Sequence, residues 1–191
     1  MKSQTITKTK EATKVTVGSV LIAQPFWKED IYKRSIILIT DHDAYRTRGI
    51  ILNKASDITV HAALPEMNTA DSIYYGGPIF PRMINCIHRM SEIPEADYLG
   101  CGLFIGGDIQ HMQSMVENNE MDFEKIKFCA GVVEWNAGQL NYELSEKKWW
   151  VSKITASEVF DLPPEILWST KLLQLGNLYG LLAQLPDPSS N

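Results

Sequence analysis

The chain has 191 residues, with 18 Lys and Arg against 23 Asp and Glu, so its net charge is −5. Apolar residues make up 45% and charged residues 21%, which excludes global disorder and fibrous repeats. The acidic balance argues against broad nucleic-acid binding, because neutralising phosphates requires a basic face.

The cations Lys2, Lys8, Lys10 and Lys14 sit in a Thr-rich leader. That leader, residues 1–16, lacks an apolar core, so it reads as a flexible terminus, not a signal peptide or an anchor. The longest apolar runs, such as 36–39, fall far short of the ~20 residues of a membrane span. There are three cysteines, Cys86, Cys101 and Cys129, an odd number at wide spacings with no C-x-x-C. The expectation is a reducing cytoplasm and thiols that fill the core.

The elements follow in order. Residues 17–23 read as a strand ending before Pro25. The β-branched run 35–40 reads as a strand buried on both faces. Asp41-His42-Asp43 opens a polar turn and 49–52 returns, so 35–53 is a hairpin closed by Asn53. A short helix at 59–64 stops at Pro65. A strand at 73–75 ends at Gly76-Gly77-Pro78. Further strands are expected at 83–90 and 99–105. Asp108 caps a helix from 109 to about 116 with an apolar stripe at helical spacing. Residues 125–133 read as a strand, and Asn136 as the N-cap of a helix with Gln139 completing a capping box. Residues 149–154 read as a strand, and Pro163-Pro164 opens the last helix, which runs to Gly176. Close-set strands with irregular helices predict an α+β fold with a mainly antiparallel or mixed sheet. No repeat or linker divides residues 17–191, so one domain is expected.

Several segments resemble the YqgE/AlgH family. They are Gly18-Ser19-Val20-Leu21-Ile22-Ala23-Gln24-Pro25, Arg34-Ser35, His42, Gly49-Ile50-Ile51-Leu52-Asn53-Lys54 and Tyr75-Gly76-Gly77-Pro78 with His88. The likeness is strongest at Trp135-Asn136-Ala137-Gly138-Gln139-Leu140, with Glu143 and Trp149 at matching distances, and the ending 182–191 is also similar. The chain departs from the family pattern at Arg46 and Thr47, where a Gly-Ala pair is usual, at Glu134, where Gly is usual, and at Ala55, where Pro is usual. The resemblance implies an α+β domain whose sheet is partly rolled into a barrel-like form, flanked by helices, in a cytosolic bacterial protein. It implies no established reaction. Family members are uncharacterised or labelled transcriptional regulators, and no catalytic residue carries over.

Four constellations bear on function. His42 lies between Asp41 and Asp43, a pattern suited to a base or a metal ligand. In an extended segment, however, neighbours point to opposite faces, which favours local turn bonding. Cys86 and His88 share a strand face, and Cys101 would add a third zinc ligand, but the spacing is not that of a structural site. Gly76-Gly77-Pro78 forms either an anion nest or a tight turn; it lacks the Lys and Ser/Thr of a phosphate loop. Trp135, Gln139 and Glu143 lie four apart and present either a binding face or a cap.

The expectation is a cytosolic binding protein of regulatory function, acting through a protein or small ligand, with no cofactor, no bound metal and no specific nucleic-acid or membrane partner. The ligand site expected comprises His42, Asn53, Gly76, Gly77, Pro78, Trp135 and Gln139, meeting in a shallow cleft with Trp135 as an apolar wall. The alternatives are a small-molecule hydrolase built on His42, Asn53 and Gly76–Pro78, and a direct DNA-binding regulator.

Overall fold

The computed structural model describes residues 14–27 and 29–183. The elements in chain order are β1 (Ser19–Ala23), β2 (Ile36–His42), β3 (Arg46–Ile51), β4 (Ala55–Thr59), α1 (Val60–Ala63), β5 (Ser72–Tyr75), β6 (Ile79–His88), β7 (Ala96–Gly100) and β8 (Leu103–Gly106). After them come α2 (Ile109–Glu117), β9 (Ile126–Asn136), α3 (Gln139–Ser145), β10 (Trp149–Lys153), α4 (Ala156–Phe160), α5 (Pro164–Leu175) and α6 (Asn177–Ala183).

The strands form one sheet in the order β10-β1-β2-β3-β9-β6-β8-β7, with β4 and β5 joining it beside β9. The β5–β9 pairing is parallel and the other pairings among the described residues are antiparallel. This antiparallel sheet forms a half-barrel flanked by helices, the α+β architecture expected from the sequence.

The central strands are covered on both sides. Val20, Ile22, Ile36, Leu38, Ile50 and Leu52 enter one core with Leu167, Trp168 and Leu172 of α5. Leu21, Ala23, Ile37, Ile39 and Ile51 alternate with them into a second core with Trp135, Leu140 and Trp149. Successive side chains of a strand point to opposite faces, so a run such as 36–39 must be apolar throughout to fill both. A third core under α2 gathers Met112 and Met115 with Phe128 and Met90.

Several elements differ from the sequence reading, among them α6, which follows the helix read as the last one. The strand expected at 99–105 is two strands, β7 and β8, joined at Cys101-Gly102. Cys101 and Gly102 both have positive φ, +51° and +77°, which reverses the chain. Asn136 is not a helix cap: it ends β9, paired with Arg46, and Gly138 (φ +76°) precedes the helix instead. The half of the capping box that survives is Gln139, whose Oε1 accepts the Asn136 N–H at 3.1 Å. Strand β4 is polar and was not expected. Helix α4 also was not, although Thr155 and Glu158 form a full capping box. The leader expected at 1–16 lies outside the described residues except for 14–16, and there Val15 is buried in the second core rather than free. The chain end expected to match at 182–191 lies outside them beyond residue 183.

Candidate functional site

The β2–β3 hairpin positions His42. A bulge shifts the register between Ile39 and Asp41, after which His42 faces Thr47 across the ladder. A bulge leaves one residue unpaired and re-aims those that follow it. His42 Nδ1 and Thr47 Oγ1 are hydrogen-bonded at 2.7 Å, with the imidazole exposed and the threonine buried. The flanking carboxylates are engaged in the turn. Asp41 pairs with Arg46 at 3.3 Å. Asp43 Oδ1 accepts the backbone N–H groups of Arg46 and Tyr45, and these bonds hold its carboxyl below the usual carboxylate range. The Asp-His-Asp run is therefore a braced turn with one exposed imidazole.

Beside this turn lies the junction of β9 and α3, since β3 pairs with β9 through Thr47↔Trp135 and Arg46↔Asn136. The two segments enclose a cleft of about 490 Å³, lined by His42, Arg46, Thr47, Asn136, Asn141 and Leu144 among others. Lys14 also lines it, from the chain entering β1. His42 and the end of β9 at Asn136, 94 positions further along the chain, thus meet.

The remaining expected residues serve the frame around that cleft. Trp135 is 2% exposed and belongs to the second core, so it is not the wall of the cleft. Its indole N–H donates to Glu143 Oε2 at 2.8 Å. Gln139 braces the junction through Asn136 and sits 3.4 Å from Glu143 Oε1. Asn53 accepts the Ile36 N–H and donates to the Arg34 carbonyl, both at 2.8 Å, so its amide is engaged by backbone. Gly76 accepts the Ile51 N–H and donates to the Ala130 carbonyl. A Cβ at Gly77 would lie 2.2 Å from the Val132 carbonyl carbon, so this segment is glycine because β9 passes against it. Asn53, Gly76, Gly77 and the exposed Pro78 therefore sit at the other end of the β3–β9 seam and do not line the His42 cleft.

The three side chains considered for zinc do not gather. The Cys86 thiol and the His88 imidazole both donate to the Gly106 carbonyl, at 3.2 and 3.1 Å. Cys101 is exposed in the β7–β8 turn. Burial pushes the Cys86 thiol up to about 11. Among the described residues no group of three or more His, Cys, Asp or Glu side chains is placed to hold a metal ion.

Sequence reasoning left Thr47, Arg46, Asn141 and Lys14 out of the site. The signal for Thr47 and Arg46 was present, because a hairpin centred on residues 43–45 sets them opposite His42 and Asp41. These are also positions where the chain departs from the family pattern. At Glu134, another departure, the side chain forms an ion pair with Arg48 directly across the β3–β9 ladder.

A half-barrel sheet with an exposed imidazole at a hairpin tip, facing a helix start, defines the class of fold and places its cleft. The family model for AlgH-like proteins matches residues 20–180, and the chain belongs to this AlgH-like family. A UPF0301 protein of Parabacteroides distasonis is 32% identical, over 91% of this chain and 90% of its own. One from Bacteroides thetaiotaomicron is 30% identical, over 89% and 88%. The fold matches a crystal structure of a Corynebacterium diphtheriae protein with a TM-score of 0.78 at 22% identity, covering 92% of this chain and 95% of that one. It also matches the solution structure of AlgH from Pseudomonas aeruginosa with a TM-score of 0.70 at 24% identity, covering 93% and 98%. Among the described residues no helix is long and apolar enough to cross a membrane.

Proposed function

We propose that the protein is a cytosolic binding protein of regulatory function whose ligand, a small molecule or a protein segment, occupies the His42 cleft. The observation that carries this reading is the state of the His42 ring. Nδ1 is held by Thr47, and Nε2 has no partner among the described residues while the ring stays exposed. A fixed ring with one open nitrogen is a preorganised hydrogen-bonding group. Leu140 and Leu144 supply apolar surface beside it, and Asn136 and Asn141 supply amides. Sites of this kind combine apolar lining with a few placed polar groups.

The hydrolase alternative draws less support. It needs an accessible nucleophile within reach of His42, and the hydroxyl at that distance belongs to the buried Thr47. It also needs Asn53 and the Gly76–Pro78 segment, which lie outside the cleft. The net charge of −5 favours a protein or small-molecule partner over direct recognition of a duplex. Three cysteines without a disulfide accord with a reducing cytosol.

The test is an amide-resolved NMR screen of a soluble fragment library against the full chain. Bound fragments should shift the amides of 42–47 and 136–144, and His42→Ala should abolish those shifts. That variant should change stability by no more than about 1 kcal/mol, as for other exposed positions. Fragments that bind equally well to the variant, or that shift only other regions, would overturn the reading.

A further inference from the structure

A second cleft, of about 570 Å³, lies at the opposite end of β9, between β5 and the α4–α5 corner. Lys127 lines it from β9, where it pairs with Ile87 and is half-buried. Its ammonium donates to the Tyr74 hydroxyl at 2.7 Å and lies 4.1 Å from the centre of that ring. Among the described residues no carboxylate comes within ion-pairing distance of it. An ammonium carries three N–H donors, and withdrawing it from water without an anion is unfavourable.

Arg89 lines the same cleft from the end of β6. Its guanidinium lies 5.3 Å over Phe160, and Nη1 pairs with Asp161 at 2.7 Å. A guanidinium has five donors, so most of them remain available. The negative groups are arranged differently. Glu124, Glu165 and Asp71 also line the cleft, all exposed, and none has an ion-pair partner among the described residues. The cleft thus holds an unpaired cation on the sheet and unpaired carboxylates at its exposed edge, with aromatic surface from Phe123 and Phe160.

We infer that this cleft binds a small zwitterion of the amino-acid class. Its carboxylate sits on Lys127 and Arg89, its ammonium against Glu124 and Glu165, and its side chain against the phenylalanines. A simple anion fits less well, because the acidic edge repels it. A simple amine fits less well, because Lys127 does.

The experiment is a titration of the full chain, followed through backbone amide shifts. The probes are L-phenylalanine and L-methionine, with hydrocinnamate lacking the amine, phenethylamine lacking the carboxylate, and inorganic phosphate. Both amino acids should give saturable shifts at Tyr74, Lys127 and Phe160, and hydrocinnamate, phenethylamine and phosphate should each bind about tenfold more weakly or worse. Lys127→Met keeps the aliphatic stem and should abolish binding. Glu165→Gln, an exposed change that leaves the fold intact, should weaken L-phenylalanine severalfold and leave hydrocinnamate no weaker, since the edge that repels an anion loses a charge. The inference is overturned if neither amino acid gives saturable shifts there. It is equally overturned if phosphate or hydrocinnamate binds as tightly as L-phenylalanine, or if Glu165→Gln weakens hydrocinnamate and L-phenylalanine alike.

Discussion

Trp135, at the end of β9, donates its indole N–H to Glu143 of α3 at 2.8 Å. The same carboxylate oxygen accepts the indole N–H of Trp149 at 2.7 Å. One carboxylate thus joins β9, β10 and α3, and the edge-to-face contact of the two indoles closes the arrangement. Both indoles are buried, so neither N–H can turn to water instead. Glu143→Leu should therefore destabilise the protein by about 2–4 kcal/mol, through two orphaned donors. Glu143→Gln keeps an acceptor and should lose less than half of that. Urea unfolding of the two variants against the parent chain provides the comparison.

Asn53 fixes the start of β2 from the end of β3. It satisfies the Ile36 N–H and holds the carbonyl of Arg34, a residue in the left-handed region at φ +51°. Asn53→Ala should cost about 2–3 kcal/mol, because a buried backbone donor is left unpaired and a strained residue loses its support. Asn53→Asp retains the acceptor and should cost less. Neither change should alter fragment binding at His42, since Asn53 does not line that cleft. Denaturant midpoints and the fragment titration together separate the two roles.

Gly131 and Gly77 face each other where β9 passes the segment after β5. A Cβ at Gly131, whose φ is +77°, would lie 2.2 Å from the Gly77 carbonyl oxygen. The neighbour is backbone and has nowhere to move. Gly131→Ala should destabilise by about 3 kcal/mol or more, combining overpacking with left-handed strain. Thermal unfolding should detect a large fall in Tm; an unchanged Tm would show that the crossing can open.

His88 makes stability pH-dependent. Its Nδ1 accepts the Met90 N–H at 3.4 Å, so its Nε2 carries the proton donated to Gly106. Burial, the larger influence, holds this imidazole below its ordinary pKa. The unfolded chain then takes up a proton that the native chain refuses. Its contribution to stability is full above the unfolded value of about 6.5 and falls as the pH drops below it. The slope is at most about 1.4 kcal/mol per pH unit for one group. Unfolding free energies measured across this range should fall with acidity in the parent chain. His88→Gln, which does not titrate, should flatten the dependence.

The sequence by itself determined the central strands and their two-sided core. An unbroken run such as Ile36–Ile39 is stable only where both faces of a sheet are covered, and alternation then assigns each residue to its core. It also determined α2 through Asp108, whose carboxylate accepts the Gln110 and His111 N–H groups, because capping is a local interaction. Local reasoning failed at Asn136, where cross-strand pairing with Arg46 outweighed a good capping residue.

Only the tertiary structure decided which of the noted residues share a site. Trp135, Asn53, Gly76 and Gly77 each stood out in the sequence as residues that packing alone does not require. Their reasons are packing and backbone satisfaction between segments far apart in the chain. His42 kept an exposed ring because its partner Thr47 arrives from the next strand. Lys127 and Arg89 carried no motif at all: they became neighbours in one cleft because β6 pairs with β9 across some forty intervening residues. Spacing along the chain encodes which face a residue takes within its own strand or helix. The meeting of faces depends on strand order and register, which long-range pairing sets.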